Sequence, residues 1–538
     1  MKWNTPTLAA GKTSGSAPVL PAATVLAMNR LLVIALLLFA GLAHAAQQNI
    51  LLIIADDYGA DSSVLYNTAS GSVSLPPTPN IAALATNGVV FRNAYANPVC
   101  SPTRACLITG RYGFRTGIGD VILGPTSPML TAAELTLPEV FAANPALNYQ
   151  LAHFGKWHLN NLANSPNTIG GWPTFAGSLS GAVANYTNWT KTTNGTSFAT
   201  TNYATTDLVN DAVAWIAART NQPWFAWVAF NAPHTPLHKP SAALAPHYTG
   251  LSGTTANINS NPRPYYEAMV EAMDTELGRL LASVNRTNTH IIFLGDNGTM
   301  GQVIQAPFVS AKAKDTIYEG GTKVPMVVTG PAVVSPGRTN DTLVHAVDVF
   351  ATILAMAGIS NAATLTTNTI DSQSFLSALT STSNLTRYAF VEKSGTNSPS
   401  ADGRALRNSQ FKLLSFDAGG AEFYDLLADP AENTNLLTGT MTATQQANYY
   451  SLTMRLGLYQ DTLAAPTISS STRSNGQFTA TVSLATNRVF SLWRAATLDA
   501  LAWAPVTNAT VVTNGASVRL TDTSAAAANF YRVEAKGQ

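Results

Sequence analysis

Mostly apolar runs that end in polar residues recur along the first half of the chain. Residues 49–54, 225–230 and 290–294 lack the polar alternation of a half-exposed strand, which is typical of buried parallel strands. Between them, residues 207–219 and 265–284 repeat apolar positions at helical spacing. This alternation predicts an α/β fold class, with a large, mixed and mostly parallel sheet sandwiched by helices.

The pattern changes twice beyond residue 365. Short strand-like runs replace the long helices there, so we predict a smaller C-terminal antiparallel α+β subdomain over residues 366–464. From residue 465 the chain is rich in Thr, Ser, Asn and Ala, and it alternates apolar and polar positions. We therefore predict an appended β-sandwich module over residues 465–538, and a main α/β domain over residues 46–365.

The N-terminal segment has the order of a secretory signal peptide. A Met-Asn-Arg sequence begins at Met28, an apolar run covers residues 31–39, and small residues end at Ala45. We expect cleavage after Ala45, export to the periplasm or the medium, and no stable membrane insertion after cleavage. The preceding residues are interpreted as an upstream extension, so residues 1–45 are set apart from the fold.

Composition narrows the function classes further. The chain has 538 residues, a formal net charge of +1 and 11% charged residues, so it lacks the basic surface that a nucleic-acid partner requires. It has two cysteines, Cys100 and Cys106, so we expect that its fold does not depend on a disulfide framework. We interpret Cys106 as a small buried side chain within a helix, whereas Cys100 requires a chemical explanation.

Two predicted strands end in oxygen-bearing side chains. Asp56 and Asp57 follow the first strand, and Asp296 and Asn297 follow residues 290–294. Because the carboxyl ends of parallel strands meet at one edge of a sheet, these side chains are expected to form one site. Three carboxylates and one amide suit calcium or magnesium better than zinc.

The stretch around Cys100 predicts an anion site. Ser101 can cap a helix and Pro102 can occupy its first turn, so Cys100 would lie at the positive end of a helix that reaches Thr109. Arg104, one turn later, would direct its guanidinium towards the same place. A plain reactive thiol is the local alternative.

Here the sequence resembles the formylglycine-dependent sulfatases of the alkaline phosphatase superfamily. Their signature, Cys-x-Pro-x-Arg followed by Thr-Gly-Arg, is matched from Cys100 to Arg111. Further motifs of this family occur in the same order along the chain, namely Gly155-Lys156-Trp157-His158, Ala232-Pro233-His234, Gly295-Asp296-Asn297-Gly298, Glu319-Gly320-Gly321-Thr322-Lys323 and Tyr424-Asp425-Leu426.

The resemblance implies a cofactor chemistry. A separate formylglycine-generating maturation enzyme would oxidise Cys100 to formylglycine (3-oxoalanine), whose hydrate offers one hydroxyl to attack sulfur and another that later expels sulfate. One calcium ion (Ca²⁺) would be held by Asp56, Asp57, Asp296, Asn297 and the group derived from Cys100.

The resemblance also implies roles for the remaining site residues. Arg104 and His158 would hold the aldehyde hydrate, and Lys156 would contact sulfate. His234 and Lys323 would flank the ester oxygen, where one of them donates a proton. Lys156 and His158 lie two residues apart in a segment that we predict to be extended, so we expect their side chains to point from the same face of that segment.

Further candidates are less defined. Asp296 could also accept the proton of the attacking hydroxyl. Side chains that could line the substrate pocket or pack in the core are Trp172, Tyr186, Trp189, Lys191 and Trp224.

The resulting function hypothesis is an exported sulfatase that acts on a sulfated small molecule or glycan. Two alternatives stay open at this point. A phosphate or phosphonate ester hydrolase of the same superfamily would need the same metal and anion-binding helix. A protein that binds sulfated glycans without catalysis would keep Cys100 as a thiol.

Overall fold

A computed structural model describes residues 47–69, 73–395 and 402–459, and shorter stretches towards the C-terminus. These stretches are 468–474, 477–483, 488–495, 504–506, 509–514, 517–523 and 530–537. The signal-peptide prediction for residues 28–45 lies outside the described residues. Within them, no helix combines the length and the apolar composition that crossing a membrane requires.

Ten strands form the largest sheet. In chain order they are β1 (Asn49–Ala55), β2 (Gly88–Tyr95), β3 (Gln150–Gly155), β4 (Thr174–Gly177), β5 (Trp189–Thr193), β6 (Thr196–Thr200), β7 (Trp224–Ala229), β8 (Thr289–Gly295), β9 (Met326–Thr329) and β10 (Arg338–His345). Their order across the sheet is β10-β2-β9-β8-β1-β7-β3-β4-β5-β6. Only β5 and β9 run against the other strands of this sheet, which confirms the mixed, mostly parallel sheet.

Helices cover this sheet and the C-terminal part. They are α1 (Pro79–Thr86), α2 (Cys100–Thr109), α3 (Gly113–Thr116), α4 (Leu137–Ala142), α5 (Ser165–Thr168), α6 (Ala204–Ala217), α7 (Thr255–Ser260), α8 (Pro262–Ala282), α9 (Glu319–Thr322), α10 (Asp348–Met356), α11 (Leu376–Thr380) and α12 (Ala443–Leu458). The predicted helices at 207–219 and 265–284 correspond to α6 and α8.

Strand β1 explains why the sheet is covered on both faces. All but the first of its seven residues are buried, so neither face is left to water. Ile50, Leu52 and Ile54 pack with α2 and α10 in one apolar cluster. Leu51 and Ile53 pack with α1, α6 and α8 in another. The α/β sandwich therefore follows from an uninterrupted apolar strand whose successive side chains alternate between two faces.

Two further antiparallel regions follow. The first is a four-stranded sheet of β11 (Ala389–Lys393), β12 (Gly403–Arg407), β13 (Phe411–Phe416) and β14 (Ala421–Asp425). The second contains β15 (Ile468–Ser474), β16 (Gln477–Ser483), β17 (Arg488–Ala495), β18 (Ala504–Pro505), β19 (Thr510–Asn514), β20 (Ser517–Asp522) and β21 (Phe530–Gly537). These seven strands form two sheets with one apolar core between them, as a β-sandwich requires. The domain boundaries at 365 and 465 stay a prediction.

A buried group of charges joins the main domain to the β11–β14 sheet. Glu319, at the start of α9, lies 3.0 Å from the Lys412 ammonium and 3.8 Å from the Arg407 guanidinium. Its second oxygen accepts a hydrogen bond from the Tyr95 hydroxyl at 2.8 Å. Glu432 lies 2.9 Å from the same lysine. Burial opposes ionisation, but Lys412, Lys323 and Arg407 together outweigh it and lower the pKa of Glu319 to about 2.

Candidate active site

The four predicted metal ligands lie at the carboxyl ends of two neighbouring strands. Strands β1 and β8 are parallel and pair up to Ala55 opposite Gly295, so the residues that follow are adjacent. Asp56, Asp57, Asp296 and Asn297 are all fully buried there. The sequence prediction that two strand ends contribute to one site therefore agrees with the geometry.

Three oxygens of this group lack hydrogen-bond partners among the described residues. They are Asp56 Oδ1, Asp57 Oδ2 and Asn297 Oδ1. Asn297 donates its amide hydrogens to Asp57 Oδ1 and to the Gly298 carbonyl, which leaves its oxygen free. Since buried polar atoms are nearly always paired, three unpaired hard oxygens fit a bound cation of the calcium type.

Helix α2 begins at Cys100, and its N-cap differs from the prediction. The N-cap residue is Val99, which has an extended backbone and a side chain that makes no capping hydrogen bond. The capping role predicted for Ser101 was therefore wrong. The Ser101 hydroxyl instead accepts a hydrogen bond from the Ile122 backbone amide at 3.2 Å and lies 3.2 Å from His158 Nδ1. Cys100 occupies the first helical turn, where backbone amides favour an anion.

The His158 imidazole contacts the Cys100 thiol. Its Nδ1 lies 3.1 Å from Sγ, and its Nε2 donates to the Ile122 carbonyl at 2.9 Å. A carbonyl only accepts, so this assigned tautomer leaves Nδ1 free to accept from the Cys100 position. Burial, with Lys156 nearby, lowers the pKa of His158 well below its usual range. The backbone is left-handed at His158, with φ 52°, so the extended segment predicted from Lys156 to His158 was wrong.

Arg104 and Lys156 hold the acidic residues from the side of α2. Arg104 donates to Asp296 Oδ2 at 2.8 Å and to the Lys156 carbonyl at 2.7 Å. The Lys156 ammonium lies 2.6 Å from Asp56 Oδ2. His153, buried among aromatic rings, donates Nε2–H to the same Lys156 carbonyl at 3.1 Å. Both cations are fully buried and fixed by ion pairs.

A histidine and a lysine lie close to Asp57. His234 Nε2 lies 3.8 Å from Asp57 Oδ2, and its Nδ1–H donates to the Thr235 carbonyl at 2.9 Å. Burial lowers the pKa of His234 to about 4, although Asp57 opposes the shift. The Tyr186 hydroxyl lies 2.8 Å from the His234 carbonyl and so fixes this loop. Lys314 Nζ lies 2.6 Å from Asp57 Oδ1.

Lys314 occupies the place that sequence reasoning gave to Lys323. The Lys323 ammonium lies 3.8 Å from Glu319 Oε2, in the charge group next to the β11–β14 sheet, and does not join the residues around Cys100. Lys314 was missed because both lysines flank the same Glu-Gly-Gly motif. Only the chain path before α9 distinguishes them.

A cavity of about 750 Å³ opens above the site. Cys100, His158, His234 and Lys314 line one part of it, and Trp189 lines another. The other pocket candidates do not line it: Trp172 and Trp224 pack in the core, and Lys191 forms ion pairs. Tyr186 acts only through the His234 loop.

Comparisons with known proteins agree with this geometry. The Sulfatase family model matches residues 48–359, and the model for the C-terminal part of N-sulphoglucosamine sulphohydrolase matches residues 312–456. Arylsulfatase J of Mus musculus is 29% identical over 338 residues, which cover 59% of this chain and 54% of that protein. Arylsulfatase A of Homo sapiens is 28% identical over 464 residues, covering 76% of this chain and 87% of that protein.

A solved structure extends the likeness to the fold. The crystal structure of Ps i-CgsB in complex with k-i-k-neocarrahexaose has a TM-score of 0.63 and 25% sequence identity, covering 77% of this chain and 92% of that chain. Fold, site and matches together define a hydrolase of sulfuric esters. The chain belongs to the sulfatase family.

Proposed function

We propose that this chain is an exported, calcium-dependent sulfatase whose nucleophile is formylglycine made from Cys100. The observation that carries the proposal is the contact of Cys100 Sγ with His158, 3.1 Å away, at the N-terminus of α2. The same cavity is lined by His234 and Lys314, which face Asp57. The proposed nucleophile position and the candidate proton donors therefore line one cavity, and the candidate proton donors also face Asp57, a proposed calcium ligand.

Asp56, Asp57, Asp296 and Asn297 would hold the calcium ion, and the group derived from Cys100 would complete the set as the family resemblance implies. The three unpaired oxygens support this assignment. When bound, the ion offsets the negative charge of the sulfate oxygens. Burial and Asp296 raise the pKa of Asp56 well above its usual range, so a cation here also stabilises the ionised ligand set.

Formylglycine at this position, as its hydrate, would supply two hydroxyls, one as the nucleophile towards sulfur and one for the later release of sulfate. The chain's own residues orient this position. His158 Nδ1 can accept a hydrogen bond from it, because Nε2–H is committed to the Ile122 carbonyl. Arg104 and Lys156, each paired with an acidic residue, keep positive charge among the proposed calcium ligands, where it would offset negative charge on the sulfate group.

His234 and Lys314 would act at the ester oxygen. Burial opposes the positive charge of Lys314, but Asp57, with Cys100 and Asp56, outweighs burial and raises the pKa of Lys314, so this lysine stays cationic. In the assigned tautomer His234 Nε2 carries no hydrogen, since Nδ1–H binds the Thr235 carbonyl. A bound sulfate ester adds negative charge beside Nε2, favours its protonation, and so enables it to donate a proton to the leaving alcohol.

The decisive experiment is mass analysis of the tryptic peptide from Asn93 to Arg104, using protein co-produced with a formylglycine-generating enzyme. The Cys100 side chain should change from CH₂SH to CHO, and the protein should release sulfate from an aryl sulfate until calcium is chelated. Cys100→Ala should abolish turnover. Cys106→Ala, in the same helix, is the matched control and should remain active.

The outcomes separate the alternatives. Conversion of Cys100 without sulfate release, but with aryl phosphate turnover, would favour a phosphate ester hydrolase. A persistent thiol would favour a protein that only binds sulfated glycans. The relatives named as sulfatases support sulfate over phosphate.

Export and substrate class belong to the same proposal. The signal-peptide order at residues 28–45 supports export, and the mature N-terminus should then begin at Ala46 or close to it. N-terminal sequencing of protein recovered from the periplasm or the medium tests this. The neocarrahexaose complex of the similar structure supports a sulfated carbohydrate as substrate.

A further inference from the structure

The basic side chains that line the cavity, one lysine and two histidines, gather at one end. Lys314 pairs with Asp57, and the imidazole of His158 contacts Cys100, so both belong to the sulfate-binding end. The other imidazole there is that of His234, beside Asp57. No arginine, and no lysine other than Lys314, lines this cavity among the described residues. Among the described lining residues, positive charge therefore lies only beside Asp57, at the end of the cavity where the proposed function places the reacting sulfate.

The β5–β6 hairpin forms a wall without charge. Thr190, Thr192 and Ser197 face the cavity, and the last two hydroxyls lie 2.8 Å apart. Because successive side chains of a strand alternate between its two faces, the Lys191 side chain points away from the face that Thr190 and Thr192 share. There it lies 2.5 Å from Asp207, which neutralises it. The hairpin therefore contributes hydroxyl groups to the cavity lining, whereas its lysine does not line the cavity.

The remaining walls are small or apolar. Residues 178–184 contribute serines, alanines, a glycine, a leucine and a valine to the lining. Trp189 offers an aromatic surface, on which the apolar face of a sugar ring or an aryl group can pack. Leu123 lines the cavity although it is 71% exposed, so it lies towards solvent.

Among the described residues that line the cavity, one carries a carboxylate, and it lies close enough to Lys314 to interact with it electrostatically. Asp315 follows Lys314 in the chain, lines the cavity and is exposed. Its backbone is left-handed, with φ 75°, and its amide donates to the Pro98 carbonyl at 3.1 Å. A carboxylate accepts hydrogen bonds from hydroxyls and repels a second sulfate or a uronate.

We infer that the alcohol part of the substrate is neutral and hydroxyl-bearing, and that it carries one sulfate only, with Asp315 as a specificity residue that discriminates against further anions. The inference rests on the proposed sulfatase function.

The test compares a neutral monosaccharide monosulfate with the same sugar carrying a second sulfate. Repulsion between unit charges about 7 Å apart corresponds to a factor of about 3 in water and about 50 at a protein surface. We expect kcat/KM to be about 10-fold lower for the disulfated sugar. Asp315→Asn should narrow this gap about 3-fold, as should about 0.5 M salt.

Asp341→Asn is the matched control, because Asp341 is exposed on β10 and does not line the cavity. It should leave the gap unchanged. Calorimetric binding of both sugars to Cys100→Ala protein measures the same preference without turnover. Equal or better use of the disulfated sugar, or an unchanged gap in Asp315→Asn, would overturn the inference. A binding preference for the monosulfate without any turnover would support it while the proposed function fails.

Discussion

Replacing Lys314 and Lys323 in turn tests which of the two lysines acts in the reaction, the one that the structure places at the site or the one that the sequence motif predicts. Lys314 Nζ lies 2.6 Å from Asp57 Oδ1 and lines the cavity. Lys323 Nζ lies 3.8 Å from Glu319 and does not line it. Lys314→Ala should therefore impair sulfate ester hydrolysis far more than Lys323→Ala.

The magnitude follows from the charge that is lost. A cation about 4 Å from developing negative charge contributes about 4 kcal/mol at an effective dielectric constant of about 20. Loss of one preorganised donor typically lowers kcat about 100-fold to 1000-fold. We expect a loss in that range for Lys314→Ala. Lys323→Ala should stay within about 5-fold, because Glu319 keeps Lys412 and Arg407 as partners.

The assay is steady-state hydrolysis of an aryl sulfate by protein whose Cys100 conversion has been verified by mass. Thermal unfolding of both variants controls for damage to the fold, and Lys314→Arg tests whether charge alone suffices. If Lys314→Ala kept wild-type kcat/KM, or if Lys323→Ala lost more, the assignment of Lys314 to the ester oxygen would be refuted.

Three further predictions concern stability. Burial raises the pKa of Glu392 from its ordinary 4.5 to about 7, so the folded protein keeps a proton that the unfolded chain releases. Stability should fall by up to about 3 kcal/mol as pH rises from 4.5 to 7, and unfolding of Glu392→Gln should show a flatter dependence. Glu319→Gln should lower the free energy of unfolding in denaturant by about 3 kcal/mol, because Lys412 and Arg407 both lose a buried counter-ion, although Glu432 still pairs with Lys412. Adding Lys412→Met to Glu319→Gln should recover part of this stability. If the effects of the two substitutions on the free energy of unfolding were fully additive, Glu319 and Lys412 would not interact. Calcium at about 100 times its dissociation constant should stabilise the wild type by about 2.7 kcal/mol. The gain should shrink in Asn297→Ala, and equal thermal shifts would contradict the ligand set.

The sequence was most informative where one local pattern determines both structure and chemistry. The apolar run from Ile50 to Ile54 predicts a strand covered on both faces, and its continuation into Asp56 and Asp57 predicts ligands at the sheet edge. The spacing from Cys100 to Arg104 likewise predicts a helix that begins at the site.

Features set by distant contacts were not predictable. The left-handed backbone at His158 directs the ring to the Ile122 carbonyl, a partner 36 residues away. The placement of Lys314 instead of Lys323 depends on the path of the chain before α9. The Ser101 hydroxyl turns to His158 and Ile122 because the extended Val99 takes the cap position. Local sequence preferences do not determine these three features, because each depends on residues that are distant in the sequence or on the path of the chain.

The charge group around Glu319 determines whether the catalytic part of the chain can fold without the C-terminal part. The two family matches overlap over residues 312–359, and Glu319 lies in that overlap. Its partners Arg407 and Lys412 lie beyond the end of the first match. A chain cut after residue 359 would leave a buried carboxylate without these two counter-ions, a few residues from Lys314. We therefore expect the part that carries the chemistry to depend on the following sheet for its folding, so that catalytic and C-terminal parts form one cooperative unit.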